Sequence, residues 1–292
     1  MKSLQPRSKL SFRKVKDRLF ATICFCAVGV GVVLLGVLLY SIWRDGGSRL
    51  NLNFLKEVPS RFPEKSGIYS ALMGSVWVIV LTGLIAVPIG VAAAIYLEEF
   101  TLRKNRFAMF IQLNISNLAG VPSIVYGLLG LALFVRILAL DRSVLAGALT
   151  MSLLILPMLI TVSQEALKAV PGSIREASYA LGATQWQTIH RQVLPNASGG
   201  IFTGIILALS RAIGETAPLM MIGAVAYIAF APKALGDSFT VLPMQIYNWS
   251  SQPQKGFHEA AAAAIIVLLV VLLLLNSLAI FLRIRSRKRA NA

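Results

Sequence analysis

The chain has few of the side chains that hold metal ions or carry covalent chemistry. Its 292 residues include only two cysteines and two histidines. Cys24 and Cys26 are two positions apart, so they do not share a helix face, and no third or fourth ligand lies nearby in the sequence. His190 and His258 are isolated from the cysteines and from each other. The sequence therefore predicts no disulfide, no metal site and no catalytic residue.

A phosphate-binding loop of the ATPase type is also missing. Such a loop has the pattern Gly-x-x-x-x-Gly-Lys-Ser/Thr, in which backbone amides surround the nucleotide phosphates. The chain has no Gly-Lys pair at all. We therefore expect no cofactor in this chain, and we do not expect it to be an enzyme.

Charged residues are scarce. Only 14% of the residues are Asp, Glu, Lys or Arg, whereas 57% are hydrophobic, and the mean hydropathy is +0.73. A chain of this composition has lipid as the solvent for most of its surface, and about 20 apolar residues are needed to cross a bilayer as a helix. The sequence predicts an all-α polytopic bundle of six transmembrane helices. The uncharged runs that supply them are 19–43, 66–97, 107–135, 143–164, 192–210 joined to 216–232, and 260–282.

Basic residues cluster at the two ends of the chain, before residue 19 and after residue 282. Lys and Arg that flank membrane spans stay in the cytoplasm. Six spans in the inner (plasma) membrane with both termini cytoplasmic fit this pattern, and topology then explains the net charge of +16 without a nucleic-acid partner. The predicted segments are a basic tail at 1–18, a membrane domain at 19–282 and a basic tail at 283–292. The predicted inner loops are 98–106 and 165–198, and the predicted outer loops are 44–65, 136–142 and 231–258.

The fifth span carries two charges, Arg211 and Glu215. They are four residues apart, so in a helix they share one face and can pair. We interpret 192–232 as one continuous helix, because splitting it would put the termini on opposite sides of the membrane. An arginine at mid-bilayer costs about 2.5–3.5 kcal/mol on insertion scales and usually faces a water path or a bundle interior. Arg211 is therefore either part of a substrate path or half of a structural ion pair.

Two further features concern packing between the spans. The Gly-Val-Pro-Ser segment at 120–123 predicts a kink inside a continuous third span. Small residues in the fifth span repeat at four-residue steps, which lets a neighbouring helix approach closely. These residues are Gly200, Gly204, Ala208 and Ala212.

The 165–198 loop contains two short amphipathic helices. Pro171 suits the first turn of one helix, and Gly182 suits a left-handed stop at its end. Thr184 and Gln187 have the spacing of a capping box for the second helix, which we expect to run through Trp186 and end at Pro195. Such a helix–Gly–helix elbow could rest on lipid headgroups or dock onto a soluble partner.

The order of residues in this elbow resembles a known motif. Glu176-Ala177-Ser178, then Gly182, then Leu194-Pro195 is similar to the EAA loop of ABC importer permeases, apart from Ser178 and Gln192. The resemblance implies a permease of the type I kind, in which the elbow is a coupling helix seated in a separate ATPase subunit. It implies that ATP and Mg are bound by that partner. The coupling residues would be Glu176, Ala177, Gly182, Trp186, Leu194 and Pro195.

Two longer motifs sharpen this resemblance. They are Ala119-Gly120-Val121-Pro122-Ser123-Ile124-Val125-Tyr126-Gly127 and Arg211-Ala212-Ile213-Gly214-Glu215-Thr216-Ala217-Pro218. With them, residues 15–285 resemble the PstA family of bacterial phosphate importer permeases. The resemblance implies that Arg211 takes part in phosphate passage, and we expect Ser210, Glu215 and Thr216 to line the path with it.

The partners implied are a similar second permease (PstC-like), two copies of a cytoplasmic ATPase (PstB-like), an extracytoplasmic phosphate-binding protein (PstS-like) and membrane lipid. Two alternatives stay open from the residues themselves. One arginine does not distinguish phosphate from sulfate or molybdate by charge. A secondary transporter could also use Arg211 and Glu215 in an ion-coupled cycle.

Overall fold

The computed structural model describes residues 7–101, 106–224 and 227–290, with side chains for all of these except 7–15, 279 and 282–290. Lys2, Arg103 and Lys104, which the topology prediction used, lie outside the described residues. The described backbone is helical throughout except for turns, loops and one isolated bridge between Ser143 and Ser238. The all-α prediction is confirmed.

Twelve α-helices follow one another along the described chain. Turns of π-helix extend three of them, at Tyr96–Phe100, Leu131–Ile137 and Ile189–Val193. The helices are α1 (Arg7–Gly46), α2 (Leu52–Lys56), α3 (Tyr69–Ile95), α4 (Arg106–Ala119), α5 (Ser123–Gly130), α6 (Val144–Lys168), α7 (Gly172–Ala180), α8 (Gln185–Thr188), α9 (Leu194–Gly214), α10 (Ala217–Ile222), α11 (Leu242–Ser250) and α12 (Lys255–Ala290).

Five helical stretches of the described chain are long and apolar enough to cross a membrane. A bent pair, Arg106–Ala119 with Ser123–Ile137, adds a sixth span if it is counted as one. The five are Lys16–Arg49, Tyr69–Phe100, Val144–Lys168, Gln185–Gly214 and Lys255–Leu278. Each of the six predicted apolar runs therefore overlaps one of these stretches.

The third span is broken rather than kinked. Helices α4 and α5 meet at 104° across residues 120–122. Pro122 cannot donate a backbone hydrogen bond, and it disfavours helical geometry at Val121. The prediction of a kink within a continuous helix was wrong. The break gives the span a free helix end on each side of residues 120–122.

The fifth span was also wrongly predicted as continuous through residue 232. Helix α9 ends at Gly214, and Glu215 has an extended backbone (φ −77°, ψ 126°). A separate short helix, α10, follows, with Pro218 in its first turn and Gly223 in the left-handed region at its end. Because Pro218 has no N–H to give to a preceding turn, it suits the start of a new helix better than the interior of an old one.

The other end of the fifth span begins earlier than expected. Residues Gln185–Gly214 form one 30-residue helical stretch, so Pro195 does not end the second elbow helix as predicted. The π-helical turn Ile189–Val193 precedes this proline and widens the helix where the proline ring removes a hydrogen bond. The helical stretch is therefore 30 residues long, but its first part belongs to the elbow, and it ends at Gly214.

Helices α3, α6, α9 and α10 share the main apolar core, which includes the fully buried Met151 and Leu159 of α6. Gly200 and Gly204 of the small-residue stripe in α9 pack on α6, which is the close approach of a neighbouring helix that the spacing predicted. A Cβ on Gly200 would lie 2.7 Å from the Cβ of Ala166, and a Cβ on Gly204 would collide with Val162. Close backbone approach between the two helices depends on these glycines.

The connecting segments gather at two ends of the bundle. We call one of them the loop end; it comprises residues 47–65, 138–143 and 231–254. There the amides of Val144 and Leu145 donate to the carbonyls of Asp237 and Leu235, respectively. At the other, the elbow end (residues 96–101 and 169–193), Lys168 pairs with Glu98 at 3.4 Å. This grouping agrees with the predicted division of the described loops into two sets.

Two helices pack at the loop end. Gly46, at the end of α1, lies against the backbone of Ala263 in α12. Trp249 of α11 is 2% exposed, in a cluster with Phe54 and Phe257. Helix α1 therefore ends at the loop end, and α12 begins there.

Candidate functional site

The elbow between α7 and α8 is built by two local capping structures. Gly182 has a φ of +81°, its N–H donates to the carbonyl of Tyr179, and the N–H of Ala183 donates to that of Ser178. These bonds close a Schellman motif, which needs the left-handed conformation that glycine tolerates. Thr184 and Gln187 form the predicted capping box, with bonds of 2.9 and 3.3 Å.

The tip of the elbow carries exposed apolar side chains. Leu181 is 89% exposed, Trp186 60% and Tyr179 44%. Trp186 stacks on the ring of His190 at a centroid distance of 6.1 Å. Sequence reasoning missed Tyr179 and Leu181, although their positions just before Gly182 place them at the turn. A compact apolar tip of this kind suits docking against a protein groove.

The predicted coupling residues occupy different surroundings. Glu176, Ala177 and Gly182 are exposed on the elbow, whereas Leu194 is half-buried and packs in the core beside Val193. Pro195 is exposed at the start of α9. The structure therefore places the first three and Trp186 together on the tip, and it places Leu194 at the root.

Arg175 fastens the elbow to the end of the second span. Its Nη2 lies 2.6 Å from Oε1 of Glu99 and its Nε 3.3 Å from Oε2. The guanidinium also donates to the carbonyls of Val170 and Leu167. The hydrogen bond with Glu99 raises the pKa of Arg175, while partial burial opposes the shift. We call Arg175 with Glu99 the elbow latch. Sequence reasoning missed it, since its partners are 76 residues apart.

Arg211 and Glu215 remain paired although the helix ends between them. The Nε of Arg211 lies 3.4 Å from Oε1 of Glu215. The side chain of Arg211 is 59% exposed and that of Glu215 19% exposed in the isolated chain. Neither charge is therefore buried in the core of this chain. The arginine is free to meet water, an anion or another subunit.

Arg211 lines a cavity of about 270 Å³ at the broken third span. The middle of α6, at residues 154–162, also lines this cavity, roughly halfway along that span. Ser123 and Tyr126 of α5 contribute polar atoms, although the Tyr126 hydroxyl donates to the carbonyl of Leu118 at 2.8 Å. The cavity is therefore near the middle of the predicted membrane depth, where a free helix start faces an arginine.

Thr216 lies in a second cavity, of about 430 Å³, on the loop-end side of α5. This cavity reaches α11 at Tyr247 and Ser250. Ile124 lines it, whereas the neighbouring Ser123 lines the Arg211 cavity, so the start of α5 separates the two. Arg211 lines the first cavity and Thr216 lines the second, and Glu215 lies between these two residues in the sequence.

Ser210 does not join this group. Its hydroxyl bonds to Oδ1 of Asn276 in α12 at 3.1 Å. Of the four predicted path residues, Arg211 and Glu215 are thus in contact, Thr216 adjoins them, and Ser210 faces another helix. The sequence position of Ser210 could have predicted this, because adjacent helix residues point about 100° apart and Ser210 therefore does not share a face with Arg211.

The arrangement favours binding of an oxyanion. The ion pair uses Nε of Arg211, so within the described residues its two terminal nitrogens stay available as donors. A guanidinium suits a tetrahedral oxyanion because its planar donors can bind two oxygens at once. Among the described residues, no group of three or more His, Cys, Asp or Glu could hold a metal ion.

Comparison with known proteins gives a family match. A family model described as the binding-protein-dependent transport system inner membrane component matches residues 86–289. The matched range contains the elbow, both halves of the third span, and Arg211 with Glu215. It covers well over half of the chain.

Individual relatives match over most of their length. The phosphate transport system permease protein PstA 1 of Mycobacterium tuberculosis (strain CDC 1551 / Oshkosh) is 33% identical over 247 residues, 83% of this chain and 80% of the relative. The PstA protein of Pasteurella multocida (strain Pm70) is 33% identical over 259 residues, 85% of this chain and 88% of that one.

A solved structure shares the fold. It is the crystal structure of a bacterial alginate ABC transporter in complex with an alginate pentasaccharide-bound periplasmic protein. One of its chains aligns with a TM-score of 0.66 at 15% identity, covering 90% of this chain and 93% of that chain. At this identity the likeness concerns the fold alone.

Proposed function

We propose a function from the premise that the chain belongs to the family of binding-protein-dependent transport system inner membrane components: it is the membrane permease subunit of an ATP-driven importer of inorganic phosphate. The match confirms the resemblance to ABC importer permeases. A multi-pass inner-membrane location follows from the family and from the apolar helices. Phosphate as the cargo is supported by the 33% identical relatives named as phosphate permeases.

The observation that carries the transport role is the position of Arg211. An exposed guanidinium at mid-depth lines one cavity, and a second cavity lies beyond the start of α5 toward the loop end. Its cost in lipid, about 2.5–3.5 kcal/mol, is offset where it faces water or an anion. Glu215 competes with the cargo for the guanidinium and so limits how long an anion is held. A pathway site must release its cargo as readily as it binds it.

The elbow would transmit the work of a separate ATPase. Its apolar tip, around Leu181 and Trp186, offers a knob for a groove in one of two copies of a cytoplasmic ATPase that binds ATP and Mg. The elbow latch would pass its movement to α3 through Glu99, and the continuous helix from Gln185 would pass it to Arg211. Coupling then needs no catalytic group in this chain.

The remaining partners follow from the two ends of the bundle. The loop end would receive a phosphate-binding protein, as the alginate transporter is seen with a periplasmic protein. The elbow end and both termini would then be cytoplasmic, consistent with the basic residues near the ends of α1 and α12. A similar second permease would complete the wall around the exposed face of Arg211.

The test is uptake by the complex of this chain with its partners, purified from its native membrane and reconstituted in vesicles. We expect ATP-dependent phosphate uptake that excess sulfate or molybdate does not inhibit. Arg211→Gln is expected to lower uptake by at least about 100-fold, because the anion loses its charged donor. Arg136→Gln changes an exposed arginine at the loop-end side of span three and serves as the matched control.

Co-purification of the partners separates the possible outcomes. Loss of uptake with the complex intact supports the pathway role of Arg211. Loss of the complex itself would make the ion pair structural. Uptake that persists without ATP while an ion gradient is present would instead indicate a secondary transporter. Inhibition by sulfate or molybdate would indicate that the cargo is another oxyanion.

A further inference from the structure

A polar stripe continues from the Arg211 cavity to the elbow end. On α6, Thr161, Gln164 and Lys168 are three and four residues apart, so they share one face of the helix. On α4, Gln112 and Ser116 have the same spacing and lead to Ala119 at the break. Polar side chains at this depth are costly in lipid and are rarely placed there without a use.

Two cavities lie along this stripe. The Arg211 cavity is lined by Thr161 of α6 and by Ala119 of α4. A further cavity, of about 500 Å³, is lined by Gln112 and Gln164 and reaches Lys168. From Thr161 to Gln164 the helix rises only about 4.5 Å. The two cavities are therefore consecutive along the same pair of helices.

Gln112 and Gln164 bond to each other at the wall of the larger cavity, about one helix turn from Thr161 of the Arg211 cavity. Nε2 of Gln112 lies 3.2 Å from Oε1 of Gln164, and Nε2 of Gln164 lies 2.9 Å from Oε1 of Gln112. Gln164 is only 3% exposed. Each amide satisfies the other, so the closed pair is neutral and carries no unpaired polar atom across this contact.

We propose that Gln112 and Gln164 form an amide gate on the exit route of the anion, between Arg211 and the elbow end. When the two side chains separate, each has an NH2 group that can donate to the oxygens of a passing phosphate. When the anion has left, the amides pair again and close the route. Amides suit this step because they donate to an anion without the charge that would hold it. This inference rests on the proposed function.

Lys168 and Glu98 mark the end of this route. Both line the larger cavity, and their charged atoms lie 3.4 Å apart with the lysine side chain 55% exposed. An anion that leaves the gate would meet the Lys168 ammonium first at the elbow end. Lys168 forms an ion pair with Glu98, as Arg211 does with Glu215. Each positive charge along the route therefore has a carboxylate that competes with the cargo.

The competing explanation is that the two glutamines only join α4 to α6. Interhelical polar pairs can serve as such joints. The chain contains a second pair for comparison, because Ser210 bonds to Asn276 between α9 and α12. Asn276 lines neither the Arg211 cavity nor the larger cavity. An amide-to-carboxylate change at each pair therefore separates a role on the route from a role in packing.

The experiment compares Gln112→Glu, Gln164→Glu and Asn276→Asp in the reconstituted complex. A carboxylate retains an acceptor for the opposing NH2 group of the glutamine pair and for the Ser210 hydroxyl at Asn276, so we expect all three complexes to assemble. Each glutamate variant is expected to lower the initial rate of phosphate uptake by at least about tenfold, because a negative charge in a low-dielectric route repels the anion. Asn276→Asp is expected to stay within about twofold of the parent.

The readouts are uptake, ATP hydrolysis stimulated by the loaded binding protein, and co-purification of the partners. Loss of uptake with hydrolysis and assembly retained supports the gate. Parent-like uptake in both glutamate variants, or an equal loss in Asn276→Asp, overturns it. If the parent complex moves sulfate or molybdate instead of phosphate, the substrate assignment fails. The same variants are then compared with that anion, so the gate is still tested.

Discussion

At the scale of single residues, Arg211 and Glu215 show how much a pairing rule can predict. Their four-residue spacing predicted contact, and the side chains do pair at 3.4 Å. The two residues do not share one helix face as the spacing predicted, because Glu215 lies beyond the end of α9. A carboxylate outside the helix can move independently of the arginine. This freedom suits a counter-ion that must yield to a passing anion.

Gly182 is the residue on which the direction of the elbow depends. Its φ of +81° costs an ordinary L-residue roughly 1–2 kcal/mol, although a Cβ there would meet no atom within 4 Å. We expect Gly182→Arg to leave membrane insertion intact but release the ATPase from the detergent-solubilised complex. Gly182→Asn is the control, since Asn tolerates the left-handed region. Pull-down of the ATPase measures how much of it each variant retains. Full retention of the ATPase by Gly182→Arg would contradict a docking role.

At the scale of elements, the elbow latch connects segments that have no contact in sequence. Glu99 accepts from Arg175, and its backbone carbonyl also accepts from the side chain of Gln185. One residue at the end of α3 thus holds both arms of the elbow. Side-chain exposures of 20% for Arg175 and 7% for Glu99 shield the pair from bulk water. A displacement of the elbow would therefore pull on the second span.

A double-mutant cycle tests this connection. We expect Arg175→Gln and Glu99→Gln each to destabilise the complex, with a coupling energy of about 1.5–3 kcal/mol, as for hydrogen bonds that involve charged groups. The thermal unfolding of the solubilised complex gives the energies. Both variants should also hydrolyse ATP with less dependence on the loaded binding protein. Strictly additive effects in the cycle would show that the latch carries no coupling.

The break in the third span is the other element that shapes the site. Helix α5 packs on α10 through Gly127, where a Cβ would lie 2.7 Å from the Cα of Pro218. The two short helices therefore sit together at the loop-end side of Arg211. A straight third span would fill this space. The bend of 104° is what leaves room for the Arg211 cavity.

At the scale of the whole molecule, the loops divide between two ends, and that division predicts the topology. Gly236 at the loop end and Gly172 at the elbow end both have open space around a new side chain. We expect a thiol at Gly236→Cys to react with a membrane-impermeant reagent in intact cells. A thiol at Gly172→Cys should react only after permeabilisation. Cys24 and Cys26 are replaced by alanine first, and the reverse labelling pattern would invert the topology.

The amount of the site that could be predicted depends on how local each feature is. The Schellman stop at Gly182 and the capping box at Thr184 were predicted because their bonds join residues a few positions apart. The helix boundaries at Pro195 and Glu215 were not, because a proline or a charge is compatible with either continuing or ending a helix in a packed bundle. The elbow latch and the amide gate left no pattern in the sequence.

The sequence by itself determined that the chain crosses a membrane several times, and it determined the local shape of the elbow. Both follow from short-range physics: lipid requires each backbone group to be satisfied within its own helix, and caps act over one turn. Only the tertiary structure decided where the fifth span ends, how sharply the third span bends, and which polar groups meet. Those outcomes depend on contacts between residues 52 to 76 positions apart, such as Gln112 with Gln164 and Glu99 with Arg175. Their free energies arise only when the helices are packed together.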